Sequence, residues 1–311
     1  MLSNSRYIFV ALCSAFAVTG CATTPEPAPA SPPDADPLTA SAALGDFTNL
    51  DYCSLLDLPS VAGGSAVAEP PAASFEQCRA VVTDNGAKLA VVIGPVSSGA
   101  DPNMKPYEAY QRGALPDGVS VQQSTFEAQQ LCTRLVTFTD GIRLTLSVAD
   151  QDKPTSTEIR CGKADAMVAG ALAAVAGKRV GRLTFSEHSL GRVDPCSLLS
   201  GHELDAASGA GTAPSPGLTG HSCIRGKVSL ALSVDDANVQ GEAEKIEGRT
   251  ARRSTEGAFC TIWTDQPAVG APGRVERAKI SVVDVEGKGG EEMCGAAREA
   301  AGIVLPRLPK P

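Results

Sequence analysis

The chain has 311 residues, of which 43% are hydrophobic and 4% aromatic, with ten cysteines and a formal net charge of -8 at pH 7. This length suggests about two domains at the usual ~100–200 residues each, and the hydrophobic share excludes a wholly disordered chain. The negative charge repels phosphate backbones, so we expect no nucleic-acid partner. Because large rings are scarce, the core must consist of smaller aliphatic side chains, and cross-links would compensate for their smaller buried area.

Residues 1–20 have the pattern of a lipoprotein signal peptide. One positive charge, Arg6, precedes an apolar stretch from Tyr7 to Val18, which fits a secretory leader and is shorter than the ~20 residues of a membrane-spanning helix. The run Val-Thr-Gly-Cys that ends at Cys21 resembles a bacterial lipobox, which implies cleavage before Cys21 and a diacylglyceryl group on its thiol. We therefore expect a lipid anchor at the extracytoplasmic face of the bacterial cell membrane. The alternative is an ordinary secretory leader with a coincidental cysteine.

Residues 21–46 follow the leader and are rich in proline and alanine. This composition does not build a packed core and favours extended polyproline conformations. We expect the segment to be a linker that holds the folded part of the protein away from the membrane.

Two stretches of similar sequence come next, and each opens with the box Asp-x-Cys-Ser-Leu-Leu. The first box begins at Asp51 and the second at Asp194. Each box starts a run of four cysteines, so we predict two tandem domains, residues 47–180 and 192–311. Each is expected to be an α+β unit in which an antiparallel sheet is flanked by N- and C-terminal helices.

Local patterns predict several elements of these domains. Asn85-Gly86 between two apolar runs predicts a β-hairpin, because its turn needs positive φ. Alternating apolar and polar residues over 228–234 predict a strand, and apolar residues at helical spacing between 164 and 175 predict a helix. The charged segment from Glu242 to Glu247 is a further helical candidate.

Eight cysteines remain after the one in the leader and Cys21, and an even number in an exported chain indicates a disulfide framework. Close Cys-x-x-Cys pairs are absent and the three histidines are scattered, so we expect no metal site and no cofactor. If each repeat is its own unit, few pairings remain. We favour first to second and third to fourth, since the sequence around each cysteine matches its counterpart. The expected disulfides are Cys53–Cys78, Cys132–Cys161, Cys196–Cys223 and Cys260–Cys294.

The box at Asp194, the lipobox and the later Cys-Thr-x-x-Thr-Asp and Cys-Gly-x-Ala segments together resemble a family of actinobacterial exported lipoproteins. The second repeat matches best, whereas the first has Tyr52 in place of the proline and has no counterpart of Trp263. The resemblance implies a cell-envelope lipoprotein built from domains of unknown function, and it supplies no catalytic residues.

Candidate catalytic and binding residues are few. The sequence lacks the Gly-x-Ser-x-Gly, His-Glu-x-x-His and P-loop motifs. His221, which is next to a serine, and the carboxylates around Asp150 and Asp235 are weak candidates for catalysis or cation binding. Trp263 is a candidate aromatic residue of a binding surface, although its place near Cys260 favours a role in covering the disulfide.

We therefore expect a non-catalytic binding or sensor module rather than an enzyme. Its partner would be a small ligand, a wall component or an envelope protein, bound through residues 94–130 and 238–257, which differ most between the repeats. Two tandem modules would suit two-site binding. The alternative is a hydrolase with a non-standard site that acts on cell-wall or peptide substrates. Converging acid, base or nucleophile groups in a pocket would favour the hydrolase.

Replacing Cys21 with serine is expected to release the protein from the membrane without unfolding it, because the thiol is the predicted lipid acceptor and precedes both repeats. Immunoblots of membrane and soluble fractions measure the effect. The control is Cys13→Ser, which alters a cysteine within the leader and should leave the protein in the membrane fraction. Retention of the Cys21→Ser protein in that fraction would refute the anchor.

Overall fold

A computed structural model describes residues 37–98, 108–110, 115–124, 131–237, 241–269, 271–283 and 291–310. The predicted signal peptide, Cys21 and the first part of the predicted linker lie outside these ranges. Residues from Pro37 onward belong to one structural unit. In the described ranges, no helix combines the length and the apolar character needed to cross a membrane.

The first half of the chain contains one long helix and several short ones. The α-helices are α1 (Ala40–Leu44), α2 (Leu58–Ala62) and α3 (Thr157–Ala176), and 3-10 helices span Phe47–Asn49 and Tyr52–Leu55. The strands, including one in the connection to the second half, are β1 (Leu50–Asp51), β2 (Ala66–Ala73), β3 (Cys78–Asp84), β4 (Ala87–Ser98), β5 (Glu108–Tyr110), β6 (Ser120–Ser124), β7 (Leu131–Thr137), β8 (Ile142–Asp150) and β9 (Gly181–Arg182).

The second half repeats this order of elements. The α-helices are α4 (Pro195–Leu198), α5 (Asp205–Ser208) and α6 (Glu291–Val304), and 3-10 helices span Leu190–Arg192, His202–Leu204 and Leu305–Arg307. The strands are β10 (Ser215–Pro216), β11 (Ser222–Arg225), β12 (Val228–Asp236), β13 (Glu242–Ile246), β14 (Arg249–Glu256), β15 (Phe259–Pro267) and β16 (Arg274–Val283).

Each half builds a seven-stranded antiparallel sheet, and the two sheets have the same strand order. The first order is β2-β3-β4-β8-β7-β6-β5 and the second is β10-β11-β12-β16-β15-β14-β13. A long helix ends each half and packs against the two strands that precede it in the chain. Helix α3 contacts β7 and β8, and helix α6 contacts β15 and β16. The connection between the halves comprises residues 177–192, and a two-stranded sheet of β1 and β9 ties it to the start of the first half. The α+β class is confirmed, whereas the division into two tandem domains stays a prediction.

Each sheet also has its own apolar core on the face that its long helix covers. Ile93 of β4 and Met167 of α3 are fully buried in the first core. Ile280 of β16 and Ala297 of α6 are fully buried in the second. These cores consist mainly of aliphatic side chains, as the low aromatic content of the sequence requires.

Four disulfides join Cys53–Cys78, Cys132–Cys161, Cys196–Cys223 and Cys260–Cys294, the pairs that the sequence favours. In each half, the first disulfide links the Asp-x-Cys-Ser box to the second strand of the sheet. The other disulfide links the long helix to the strand that comes sixth in chain order within the sheet, which is β7 in the first half and β15 in the second. In the chain-entropy model, loops of this size contribute roughly 3–4 kcal/mol each.

The Asp-x-Cys-Ser box forms the same capped turn in both halves. Oδ1 of Asp51 and Oδ1 of Asp194 each accept a hydrogen bond, at 2.9 Å, from the N–H of the cysteine two residues further on. The hydroxyls of Ser54 and Ser197 donate back to the aspartate carbonyls at 2.6 and 2.7 Å. These bonds satisfy backbone groups at the start of a helical turn. Local structure therefore accounts for the repeated aspartate and serine.

Two hairpin turns show where the sequence was read correctly and where it was not. The predicted turn at Asn85-Gly86 joins β3 to β4, with φ of 49° and 79°. A similar turn at Glu247-Gly248, with φ of 48° and 80°, joins β13 to β14. The helix expected over Glu242–Glu247 is therefore wrong, because this segment forms an edge strand of the second sheet.

The predicted linker, residues 21–46, ends too late. Its last residues form α1, whose Ala40 and Leu44 are fully buried in the first core. Thr39 caps this helix, since its hydroxyl accepts a hydrogen bond from the N–H of Ala42 at 3.2 Å. The folded part of the chain thus begins before the first repeat that the sequence suggests.

Arg160 of α3 and Asp150 of β8 form a buried ion pair, with side chains 4% and 2% exposed and 2.7 Å between Nη1 and Oδ2. Arg160→Met is expected to lower the free energy of unfolding by about 3–5 kcal/mol, because it leaves a buried carboxylate without its partner. Arg79→Met is the matched control, since it breaks an ion pair with Glu69 that is 33% and 48% exposed. Its effect should stay below about 1 kcal/mol. Urea denaturation measures both, and equal losses would contradict the role of the buried pair.

Candidate functional site

The two halves meet around three rings: those of Phe75, Phe185 and His221. The centroid of Phe75 lies 5.5 Å from that of Phe185 and 4.9 Å from that of His221, and Phe185 lies 5.9 Å from His221. Phe75 comes from the β2–β3 loop, Phe185 from the connection between the halves, and His221 from the β10–β11 loop. Phe75 is buried in the core of the second half although it belongs to the first. We call these three residues the ring cluster.

Polar contacts beside the ring cluster also join the halves. The hydroxyl of Ser74 accepts a hydrogen bond from the N–H of Val234 at 2.8 Å. The hydroxyl of Thr219 donates to Oε1 of Glu76. The second contact joins the β2–β3 loop to the β10–β11 loop, which holds the same position in the second sheet. The halves are therefore held together at equivalent loops.

His221 is buried at this junction. Its Nε2 lies 2.8 Å from the carbonyl oxygen of Thr48, whereas its Nδ1 has no hydrogen-bond partner in the described part of the chain. Burial lowers the pKa of His221 below its ordinary value and outweighs two opposing effects, the hydrogen bond to Thr48 and the negative charge of Glu76. If Nε2 donates to the carbonyl, Nδ1 is the nitrogen left without a proton.

An open cleft of about 430 Å³ lies between the halves next to the ring cluster. Three segments form its walls: the β2–β3 loop, the connection between the halves, and the second half near the β15–β16 loop. The apolar part of the lining includes Phe75, Leu183, Phe185, Val234, Ala268 and Val269. Val269 is 76% exposed, so the apolar surface of the cleft continues out to the solvent.

Among the described residues that line the cleft, Glu276 of β16 is the only charged one. Both oxygens of its carboxylate accept hydrogen bonds from other residues of the protein. Oε1 accepts a hydrogen bond from the hydroxyl of Ser189 at 2.6 Å. Oε2 accepts one from the N–H of Leu190 at 2.6 Å and one from the side-chain amide of Gln266 at 3.0 Å. The side chain is buried, and these bonds fasten the connection between the halves to the second sheet.

This arrangement suits the binding of apolar surface better than proton transfer. The hydroxyl of Ser189 donates to a carboxylate and accepts from the N–H of Gly191 at 3.0 Å, so no imidazole activates it as a nucleophile. The hydroxyl of Ser74 is likewise engaged with the backbone of β12. The polar groups of the cleft thus serve mainly to hold its walls in place.

Trp263 lies on the opposite face of β15 from Cys260, because side chains alternate along a strand and the pairing of β15 with β16 is regular here. The expectation that it covers the disulfide is therefore wrong. Its side chain is buried, and its indole Nε1 has no hydrogen-bond partner among the described residues. Gly241 packs on the ring, where a Cβ would come within 2.6 Å of it. Trp263 does not line the cleft, and its role in binding stays a prediction.

Asp150 and Asp235, two of the carboxylates considered for cation binding, are paired with basic side chains. Asp150 pairs with Arg160, and Asp235 lies 3.0 Å from both Arg277 and Lys279. Across the described ranges, no three His, Cys, Asp or Glu residues are grouped so that they could hold a metal ion.

Comparison with known proteins identifies no relative that informs the site. The sequence matches no protein-family model and no curated protein. Among solved structures, the chain is similar to one described as "Crystal structure of MucB in complex with MucA(peri)". The match has 12% sequence identity and a TM-score of 0.16, and it covers 80% of this chain and 97% of that one. A TM-score this low carries no argument about fold or function.

The residues of the cleft were missed by sequence reasoning, which placed binding in residues 94–130 and 238–257. Described residues of those segments form parts of β4, β5, β6, β13 and β14, and none of them lines the cleft. The one available signal was Phe185, a phenylalanine within the connection between the halves, in a chain with only eight phenylalanines. A large ring in a connecting segment has to be buried against something.

Stability is expected to fall as the pH drops below 6.5, the ordinary pKa of His221. Burial lowers that pKa in the folded state, so below 6.5 the unfolded chain binds a proton that the folded chain does not. The loss amounts to at most about 1.4 kcal/mol per pH unit and ends at the lower, folded-state pKa. His221→Gln keeps a donor for Thr48 but cannot titrate. Its free energy of unfolding should therefore fall less between about pH 7.5 and about pH 5.5.

Urea denaturation across this pH range measures the difference. His188→Gln is the matched control, because it makes the same change at an exposed histidine outside the ring cluster and should leave the wild-type pH dependence unchanged. Identical pH dependence in the wild type and His221→Gln would show that the buried imidazole does not govern acid stability.

Proposed function

We propose that this protein is a non-catalytic binding module of the bacterial cell envelope, tethered through lipidated Cys21, with its ligand site in the cleft between two duplicated halves. The cleft carries the proposal: it is open, mostly apolar and about 430 Å³ in volume, and the one carboxylate of its described lining is already hydrogen-bonded within the protein. Clefts of ~300–1,000 Å³ between packed units are frequent sites for small ligands.

The two halves are proposed to be tandem copies of one α+β module with N- and C-terminal helices around a sheet. Three features support a duplication: the shared strand order, the matching positions of the disulfides, and the equal geometry of the two aspartate-capped turns. The contact of Glu76 with Thr219 then joins equivalent loops of the two copies.

An extracytoplasmic location at the membrane is supported by the four disulfides of the described chain, because such bonds persist in oxidising compartments and are rare in the cytosol. The lipobox at Cys21 and the resemblance to exported lipoproteins point to the same place. In this setting the ligand would come from the envelope, as a small molecule, a wall component or a segment of another envelope protein.

Binding is favoured over hydrolysis of wall or peptide substrates because of how the polar groups of the cleft are used. Glu276 and Ser189 are hydrogen-bonded to each other, and both also bond to backbone N–H groups. A general base and a nucleophile need to face a substrate rather than the protein backbone.

Filling the cleft is expected to abolish ligand binding. Ala271 lines the cleft, so the indole of Ala271→Trp should occupy much of its space. Small-molecule fractions of a cell-envelope extract should raise the Tm of the wild type, because a ligand at about 100 times its Kd stabilises the folded state by ~2.7 kcal/mol. The same fractions should leave the Tm of Ala271→Trp unchanged.

The matched control is Ala42→Trp, which adds the same ring at an exposed position of α1. It should respond to the extract as the wild type does. A shift of Tm that persists in Ala271→Trp would place the ligand outside the cleft and overturn the proposed site.

A further inference from the structure

The chemistry of the cleft narrows the class of ligand, provided that the cleft is the binding site proposed above. Its walls combine two phenylalanine rings with aliphatic side chains from three segments of the chain. Removing such surface from water by contact with another apolar surface is favourable, by about 25 cal/mol per Å² of buried area. The ligand must therefore present apolar surface to most of the cleft.

The charge of the cleft excludes ionic recognition as the main source of affinity. The described lining contains no lysine, arginine or histidine, so an anion would lose its hydration without meeting a cation. A cation would have to give up its hydration to reach the buried Glu276 carboxylate, whose two oxygens already accept three hydrogen bonds. An uncharged ligand is the electrostatic complement of this lining.

Hydroxyl groups and the exposed edge of the cleft indicate how such a ligand would lie. Thr184 and Ser186 of the connection between the halves contribute hydroxyl-bearing side chains to the lining. On the side of the second half, Val269 continues the apolar wall into the solvent. A flexible chain with a small polar end fits a site that is apolar over most of its length and has hydroxyls along one wall.

We propose that the cleft binds the aliphatic chain of an uncharged amphiphile. The apolar walls hold the chain, the hydroxyl-bearing wall meets the polar end, and a charged head group would lose hydration that the lining does not replace. An amphiphile of this kind would come from the envelope in which the protein is proposed to reside.

The test uses the full chain with Cys21→Ser, so that no attached acyl group competes for the cleft. The neutral fluorescent probe N-phenyl-1-naphthylamine is bound first and then displaced by 1-decanol, decanoate or decyltrimethylammonium, each with the same chain length. We expect 1-decanol to displace the probe at a concentration about ten-fold lower than either ion, because the lining does not replace the hydration that a charged head group loses. Equal or better displacement by either ion would overturn the proposal.

Two plugged variants and one control locate the binding. Ala271→Trp and Ala268→Trp should each lose most of the displaceable probe fluorescence, and the second keeps the test valid if the first fails to fold. Val269→Asp should raise the concentration of 1-decanol needed by about ten-fold. Val67→Asp makes the same change at an exposed valine of β2 outside the cleft and should have no effect.

The outcome separates the ligand class from the site. If envelope extracts raise the Tm of the wild type but not of Ala271→Trp, while 1-decanol displaces no probe, the cleft is the site and the aliphatic ligand is wrong. If displacement by 1-decanol is the same in both plugged variants as in the wild type, the chain binds elsewhere and this inference falls.

Discussion

Each half of this protein depends on a covalent bond between an aspartate-capped turn and the second strand of a sheet. The turn is too short to hold its place by burial alone, and the chain has few large rings with which to anchor it. Cys78 and Cys223 are fully buried, so the disulfide fixes the turn where the core begins. The other disulfide joins the long helix to β7 in the first sheet or to β15 in the second, towards the opposite edge of the same sheet. Secondary structure of modest length is thereby held around a core of mainly aliphatic side chains.

The connection between the halves is held by a different kind of interaction. Glu276 is buried, and a buried carboxylate is costly unless hydrogen bonds replace its hydration. Three donors do so, two of them from Ser189 and Leu190 at the end of the connection. Gly191 lets the chain close over this point, since a Cβ there would come within 2.5 Å of the ring of Phe185. The cleft therefore has one firmly held wall, and Val269 on another wall remains largely exposed.

The sequence was sufficient for turns with a strong local signal and for the disulfides. It was insufficient where the local signal was weak and for features that depend on how the halves meet. Asn85-Gly86 predicts its hairpin because the turn itself demands positive φ. Glu247-Gly248 forms a similar turn without the usual residues, so the helix-forming residues before it were misread as a helix. Trp263 was misplaced because its neighbour in sequence, Cys260, lies on the other face of the strand.

The cleft had no local signature, because its walls come from segments that are far apart in the chain. Tyr52 shows the same limit on a smaller scale. It departs from the proline of the second box, and in the structure it is fully buried against Gly94, where a Cβ would come within 3.0 Å of its ring. The departure thus has a packing reason that involves a residue in β4. Sequence comparison between the repeats detects such a difference and cannot explain it.

The ring cluster links the cleft to the junction between the halves. Phe75 lines the cleft on one side and packs on the imidazole of His221 on the other. If Phe75 keeps its place only while His221 is neutral, a ligand that packs on Phe75 stabilises the neutral form. Because such coupling is reciprocal, protonation of His221 would weaken binding by the same factor by which the ligand opposes protonation. The magnitude depends on how far Phe75 moves when the imidazole gains a charge, and Glu76 next to it limits that cost by its own negative charge.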